Sequence, residues 1–181
     1  DTSKYKKALE LKYDFISIFE DEWIKDRFKI ENILKSKLNV NKVVNLRPSL
    51  CDIRKIGANE INQFYFRYHY IGACKGKIHY GVFYDEKLIS AMSFSTPTRQ
   101  SKHSWELIRM ASDYDFRVHG IWSKILKQFI EEYKPKSVVS FSDNRLFSGK
   151  VYEKIGFKFN KNLFPDYYWV KYLYLRKYVK K

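Results

Sequence analysis

The sequence predicts a mixed α/β (α+β) fold: a mixed sheet flanked by helices, preceded by an N-terminal strand–helix appendage. Three observations predict it. Apolar residues make up 45% of the 181-residue chain and aromatics 18%, enough to build a packed core. From residue 51 onward, runs with strand character alternate with runs of helical spacing. Before that point, one apolar strand-like run leads into a single long, charged helix.

Taken in order, residues 3–12 read as a short helix with Tyr5, Ala8 and Leu9 on one face. YDFISIF (13–19) reads as a buried strand, because it is mostly aromatic and β-branched. Residues 20–38 read as a helix, with acids in the first turn and lysines in the last, as the helix dipole favours. Trp23, Phe28, Ile30, Ile33, Leu34 and Leu38 are expected on one stripe. Residues 39–50 read as a linker, since Arg47-Pro48 discourages a helix there. A boundary near 45 separates an appendage (1–45) from the main domain (46–181).

The main domain opens with a strand (51–56) and a helix (57–69). Residues 78–95 form the clearest hairpin, turning at Asp85-Glu86-Lys87. A basic loop (96–104), a strand (105–112), a polar loop (113–119) and an amphipathic helix (120–133) follow. The rest reads as a buried strand (137–142), a short helix (148–156) capped by Gly156, and strands at 157–161 and 167–175. Residues 51–175 are expected to share one sheet whose strands part near 105–112 and 137–142.

The net charge is +15, from 35 Lys and Arg against 20 Asp and Glu, and a field of that sign favours polyanions, nucleic acid first. Residues 151–181 carry +6, twice the charge of each preceding block of fifty, so the excess gathers at the C-terminal end. No run is long enough to span a membrane and no signal peptide is visible, so no membrane partner is expected. Cys51 and Cys74 form no metal-ligand spacing and read as two thiols, which fits a cytoplasmic setting. A chain beginning at Asp1 without Met reads as a fragment or processed product.

Two motifs carry a resemblance. VYEKIGF (151–157) resembles the closing signature of GNAT-type acyltransferases. Arg117-Val118-His119-Gly120-Ile121-Trp122 is similar to the loop in which that family binds the pyrophosphate of acyl-CoA. The resemblance covers about 125 residues and implies a GNAT-like mixed sheet, acyl-CoA as donor, and Arg117, Gly120, Ile121, Trp122 and Ser123 as its binding residues. A helix start with unpaired N–H groups is a sound anion site. The small residue that closes the family's loop is replaced by Trp122, whose indole would crowd the pyrophosphate.

WELIRM (105–110), VVSFSDNR (138–145) and SGKVYEKIGF resemble the phage Mom-like DNA-modification group within this fold. That likeness implies His69, Tyr70 and Asp143 as polar site residues. LKYDFISIFEDEWIKDRFKIENILKSKL resembles the last strand and helix of very-short-patch-repair-type phage homing endonucleases. The nuclease residues of that family lie mostly upstream of this segment, so the chain alone is not expected to cut DNA. Glu20, Asp21 and Glu22 point in different directions from a helix start and read as caps; no metal is expected.

Several residues carry two readings. Tyr152 either protonates a departing CoA thiolate, as the resemblance implies, or packs its helix on the sheet. Glu106 is a general base facing the cleft, or pairs with a basic neighbour; 106 and 109 have opposite strand parity, so Arg109 is not its automatic partner. Asp143 serves the cleft at a strand end, forms a capping turn, or does both. His69 and His103 are bases or phosphate contacts, or structural, while His79 and His119 read as structural. Arg99, Lys102 and His103 on the basic loop, Arg145 after the buried strand, and Lys171, Arg176 and Lys177 in a tail interleaved with Tyr172, Tyr174 and Tyr178 form the candidate nucleic-acid surface.

The leading expectation is a DNA-interacting phage or mobile-element protein: a GNAT-like domain following the end of a homing endonuclease. The alternatives are an active GNAT- or Mom-type transferase and a non-catalytic interaction module. The sequence leaves the oligomeric state open.

Overall fold

The computed structural model describes residues 2–97, 102–163, 168–171 and 175–178. Arg99 therefore lies outside the described residues, and Lys171, Arg176 and Lys177 are described by their backbone alone. The chain forms two compact units, Asp1–Ile30 with Ser142–Lys181, and Glu31–Phe141.

The second unit holds the main sheet. β1 (Val44–Leu46) precedes β2 (Asp52–Lys55), α3 (Ala58–Tyr68), β3 (Ile78–Tyr84), β4 (Lys87–Ser95), β5 (Trp105–Ser112), β6 (Phe116–Val118), α4 (Ile121–Tyr133) and β7 (Val138–Val139). Five strands pair in the order β2-β3-β4-β5-β7, antiparallel except for the parallel β5–β7 contact. The β3–β4 turn has positive φ at Asp85 (48°) and Glu86 (58°), the conformation that matches a hairpin's twist.

α3 and α4 cover opposite faces of the sheet. On one face the sheet presents small residues, Gly81, Ala91, Ser93 and Ala111, and α3 fills the space with Ile61, Phe64 and Tyr65. A Cβ on Gly81 would meet Leu88 at 2.8 Å and Phe83 at 2.9 Å, so a larger residue there would have to displace those side chains. On the other face Phe129 of α4 stacks on Phe94 and meets Trp105 edge-on. Lys55 of β2 and Tyr80 of β3 bond both oxygens of Glu132 and tie α4 to the far edge of the sheet.

The first unit contains α1 (Thr2–Glu10), the start of α2 (Glu20–Lys37), α5 (Lys150–Lys154), β8 (Tyr168–Lys171) and β9 (Leu175–Tyr178). Glu22 accepts the Phe19 N–H at 2.9 Å, the glutamate half of a capping box, at the start of α2.

Five expectations are corrected. Residues 13–19 form no strand: Ser17 N–H donates to the Arg145 carbonyl at 3.0 Å, and Tyr13 is exposed. The 20–38 stripe is broken, because non-helical backbone at Asp26 (φ −135°, ψ 39°) shifts the helical phase and leaves Trp23, Phe28 and Leu38 exposed. Part of the 39–50 linker, β1, pairs in parallel with β6, which itself lies inside the expected 113–119 loop. Residues 157–161 form no strand, and Phe159 is exposed. The 167–175 run yields β8 and, with β9, an antiparallel pair in its own two-stranded sheet, so residues 51–175 do not share one sheet.

Candidate active site

The parallel ladder between β5 and β7 spans only Trp105↔Val138 and Glu106↔Val139. Ser140 then donates its hydroxyl to the Leu107 carbonyl at 2.8 Å, so a side chain takes over where the backbone ladder stops. Beyond that point β5 runs on to Ser112 without β7, leaving a gap that opens toward the C-terminal end of β5. The chain crosses from β5 to β7 through α4, so the start of α4 belongs to that same open end.

A bulge shapes β5. Ser93 pairs with Arg109 and Phe94 with Leu107, so Ile108 is an extra residue. Ser95 pairs with Glu106, and Ser93 and Ser95 share a face of β4. Glu106 and Arg109 therefore share a face too, the face covered by α3, which corrects the opposite parity expected from their numbering. Glu106 is buried at 7% exposure.

Arg109 reaches out from that face. Its Nε donates to the Gly72 carbonyl at 3.3 Å and its Nη1 to the Ile108 carbonyl at 3.1 Å. The guanidinium thus fixes the 69–77 loop, which carries His69 and Tyr70. Their rings stack at 5.0 Å, and His69 Nδ1 accepts the Ile71 N–H at 3.1 Å. Glu106 and Arg109 thus share a face, and Arg109 bonds the loop that carries His69 and Tyr70.

Beneath the loop lies a buried polar chain that sequence reading missed. Tyr65 and His79 each share a 2.8 Å hydrogen bond with the Ser93 hydroxyl. Burial raises the Tyr65 hydroxyl well above its usual range and lowers the His79 imidazole, so both are neutral at pH 7. Burial likewise raises the Cys74 thiol. Gly76 packs on the His79 ring, where a Cβ would sit 2.4 Å from Cε1. No local signal marks this chain, because Tyr65, His79 and Ser93 lie on three different elements. His79, read from the sequence as structural, is buried with its Nδ1 on the Ser93 hydroxyl.

At the open end, Arg117 and His119 are exposed and Gly120 takes φ 78°. No side chain caps α4 there, which leaves its first N–H groups, those of Ile121, Trp122 and Ser123, available to an anion. Trp122 is half-buried and Ser123 exposed. Asp113, which ends β5, is 3% exposed and accepts the Asp115 N–H and the Tyr68 hydroxyl.

The remaining candidates divide between the units. In the second, Lys102 is exposed, and His103 Nδ1 lies 3.3 Å from the Ser137 hydroxyl. In the first, Asp143 forms the expected turn by accepting the Arg145 N–H at 3.0 Å. Arg145 donates to both oxygens of Glu22 at 3.1 Å and to Asp143 at 2.7 Å, and stacks on Phe19. Burial opposes its charge, yet these bonds hold it above the ordinary guanidinium value. Tyr152, on α5, sits edge-on to Phe157 with centroids 5.8 Å apart. Lys171 and Arg176 lie on the β8–β9 pair, where Lys177 registers opposite Trp169. Among the described residues no group of three or more His, Cys, Asp and Glu comes together to hold a metal ion. Nor is any helix among them long and apolar enough to cross a membrane.

No family model and no curated protein matches the chain. Solved structures do. The chain resembles an aminoglycoside acetyltransferase from an uncultured soil metagenomic sample, solved with trehalose, at 13% identity and TM-score 0.50, over 68% of this chain and 98% of that one. A ribosomal-protein-alanine N-acetyltransferase from Brucella melitensis biovar Abortus 2308 aligns at 17% identity and TM-score 0.45, over 64% and 97%. A possible acetyltransferase from Clostridium difficile 630 aligns at 13% and 0.44, over 67% and 99%. The first of these shows the fold: a GNAT-like mixed sheet flanked by helices, as the sequence predicts.

Proposed function

We propose that the chain is a GNAT-type N-acyltransferase that moves an acyl group from acyl-CoA to an amine. The observation that carries this is the β5–β7 ladder, which stops at Glu106 and opens toward an uncapped helix start. The family's loop closes with a small residue where this chain has the half-buried Trp122, so the donor's fit rests on the backbone N–H groups and Arg117. Its pyrophosphate would lie against the N–H groups of Ile121, Trp122 and Ser123 beside Gly120, with Arg117 adding charge, and its thioester arm would enter the gap. The amine nitrogen attacks the thioester carbonyl carbon, so a C–N bond forms as the C–S bond breaks. Glu106 takes the amine proton, and the electron pair leaves on sulfur. The thiolate then takes a proton from water. His69 and Tyr70 line the acceptor side, on the loop that Arg109 fixes.

Acetyl-CoA titration tests this. Saturating donor raises the melting temperature, with about 2.7 kcal/mol of stabilisation at a hundred times Kd. Glu106→Gln keeps that shift but slows transfer to a panel of primary amines by about a hundredfold. The absence of any shift at saturating acetyl-CoA overturns the reading.

The +15 charge favours a second reading, in which the chain contacts nucleic acid. Arg99, Lys102, His103, Lys171, Arg176 and Lys177 are its remaining candidate contacts, since the Arg145 guanidinium is bonded to carboxylates.

A further inference from the structure

The pairing of β1 with β6 has no place in the acyl-transfer step, yet it brings a new cation to the start of α4. Asn45 registers with Arg117, and Leu46 with Val118. Paired residues of a parallel ladder point to the same face. Leu46 is 7% exposed, so its face is the buried one, and Asn45 and Arg117 point the other way. Arg47 continues in extended backbone (φ −80°, ψ 141°), returns to the Asn45 face, and stands level with His119, immediately before Gly120.

A second contact places the same segment. The Cys51 thiol donates to the Arg47 carbonyl at 3.8 Å, and the charge of Lys124, in the first turn of α4, acts on that thiol. The 47–51 segment thus runs beside the start of α4. Arg47 and Arg117 share one face of that segment and Lys124 lies in the adjoining first turn of α4, and among the described residues no carboxylate forms an ion pair with any of them. The charge of Asp52 acts on the Cys51 thiol as well, and Asp115, two residues before Arg117, bonds through its backbone, N–H to Asp113 and carbonyl from Val44 N–H.

CoA carries three phosphate groups. Helix N–H groups serve the pyrophosphate, and the third, on the ribose, needs side-chain cations beyond the helix. We propose that Arg47, with Arg117 beside it, holds the adenosine 3′-phosphate of the donor, making β1 a determinant of donor choice. This rests on the acyl-CoA reading above. Arginine suits the task because its planar fork matches two phosphate oxygens at once.

Calorimetric titration with acetyl-CoA and 3′-dephospho-acetyl-CoA tests it. The unsubstituted chain favours acetyl-CoA by about tenfold or more. Arg47→Ala removes that preference and leaves the dephospho affinity unchanged, while Arg47→Lys retains part of it. Circular dichroism confirms folding, and Arg47→Gln reads the same difference should Arg47→Ala unfold. Equal affinity for the two donors, or a preference that survives Arg47→Ala, overturns the assignment while leaving the acyl-CoA reading standing. Binding of neither donor removes both.

Discussion

Asp113 shows how much one side chain can organise. It accepts the Asp115 N–H at 3.0 Å and the Tyr68 hydroxyl at 2.8 Å, and pairs with Lys87 at 2.9 Å. Burial opposes its charge, but the bonds from Asp115, Lys87 and Tyr68 outweigh it and hold the carboxyl below its ordinary range. Burial and the same carboxylate push the Tyr68 hydroxyl up to about 12. Because the folded value is the lower one, Asp113 stabilises the protein fully above the unfolded value of about 3.9, and the contribution fades as pH falls through the folded value. Asp113→Ala is expected to cost about 2 kcal/mol at pH 7. The difference from the parent should narrow at pH 3.5, read by urea unfolding at both values. An equal cost at the two pH values would rule out a charged role. None of this was legible in the sequence: Asp113 looks like any other polar residue of its loop, and Tyr68 lies 45 positions away. The parity of Glu106 and Arg109 was hidden for a related reason. A bulge is a property of two strands in register, and residue numbering describes only one of them.

At the scale of elements, patterning succeeded where a segment carries its own periodicity or turn. α3, the β3–β4 hairpin, β5 and α4 fall within a residue or two of their expected bounds. It failed where composition promised a strand but no ladder partner exists. Residues 13–19 are aromatic and β-branched, yet their backbone is held at Ser17 by the Arg145 carbonyl. The Arg145 side chain spans Glu22 and Asp143 on the same unit, so one residue secures both this segment and the start of α2. Lysine has no fork with which to bridge two carboxylates. Arg145→Lys should therefore lower stability by about 1–3 kcal/mol, and amide exchange at Ser17 should quicken, while exchange in the β3–β4 ladder follows only any change in global stability. Unchanged exchange at Ser17 would show that the segment does not depend on the guanidinium.

For the whole molecule, the open question is what a charge of +15 serves. A small donor with three phosphate groups engages a few cations, whereas a nucleic-acid duplex engages many. Counterion release turns that difference into a slope: log affinity falls with log salt by about 0.9 for each duplex phosphate contacted. Between 50 and 200 mM salt, acetyl-CoA should lose no more than about fortyfold in affinity, while a duplex held by six or more phosphate contacts would lose on the order of a thousandfold. Titrating both ligands across that range measures what the positive field contributes to each. A steep slope for duplex DNA would mean that the charge serves a polymer in addition to the donor. A shallow or absent DNA signal would leave Arg47, Arg117 and Lys124, beside the start of α4, as the part of that charge with a binding role.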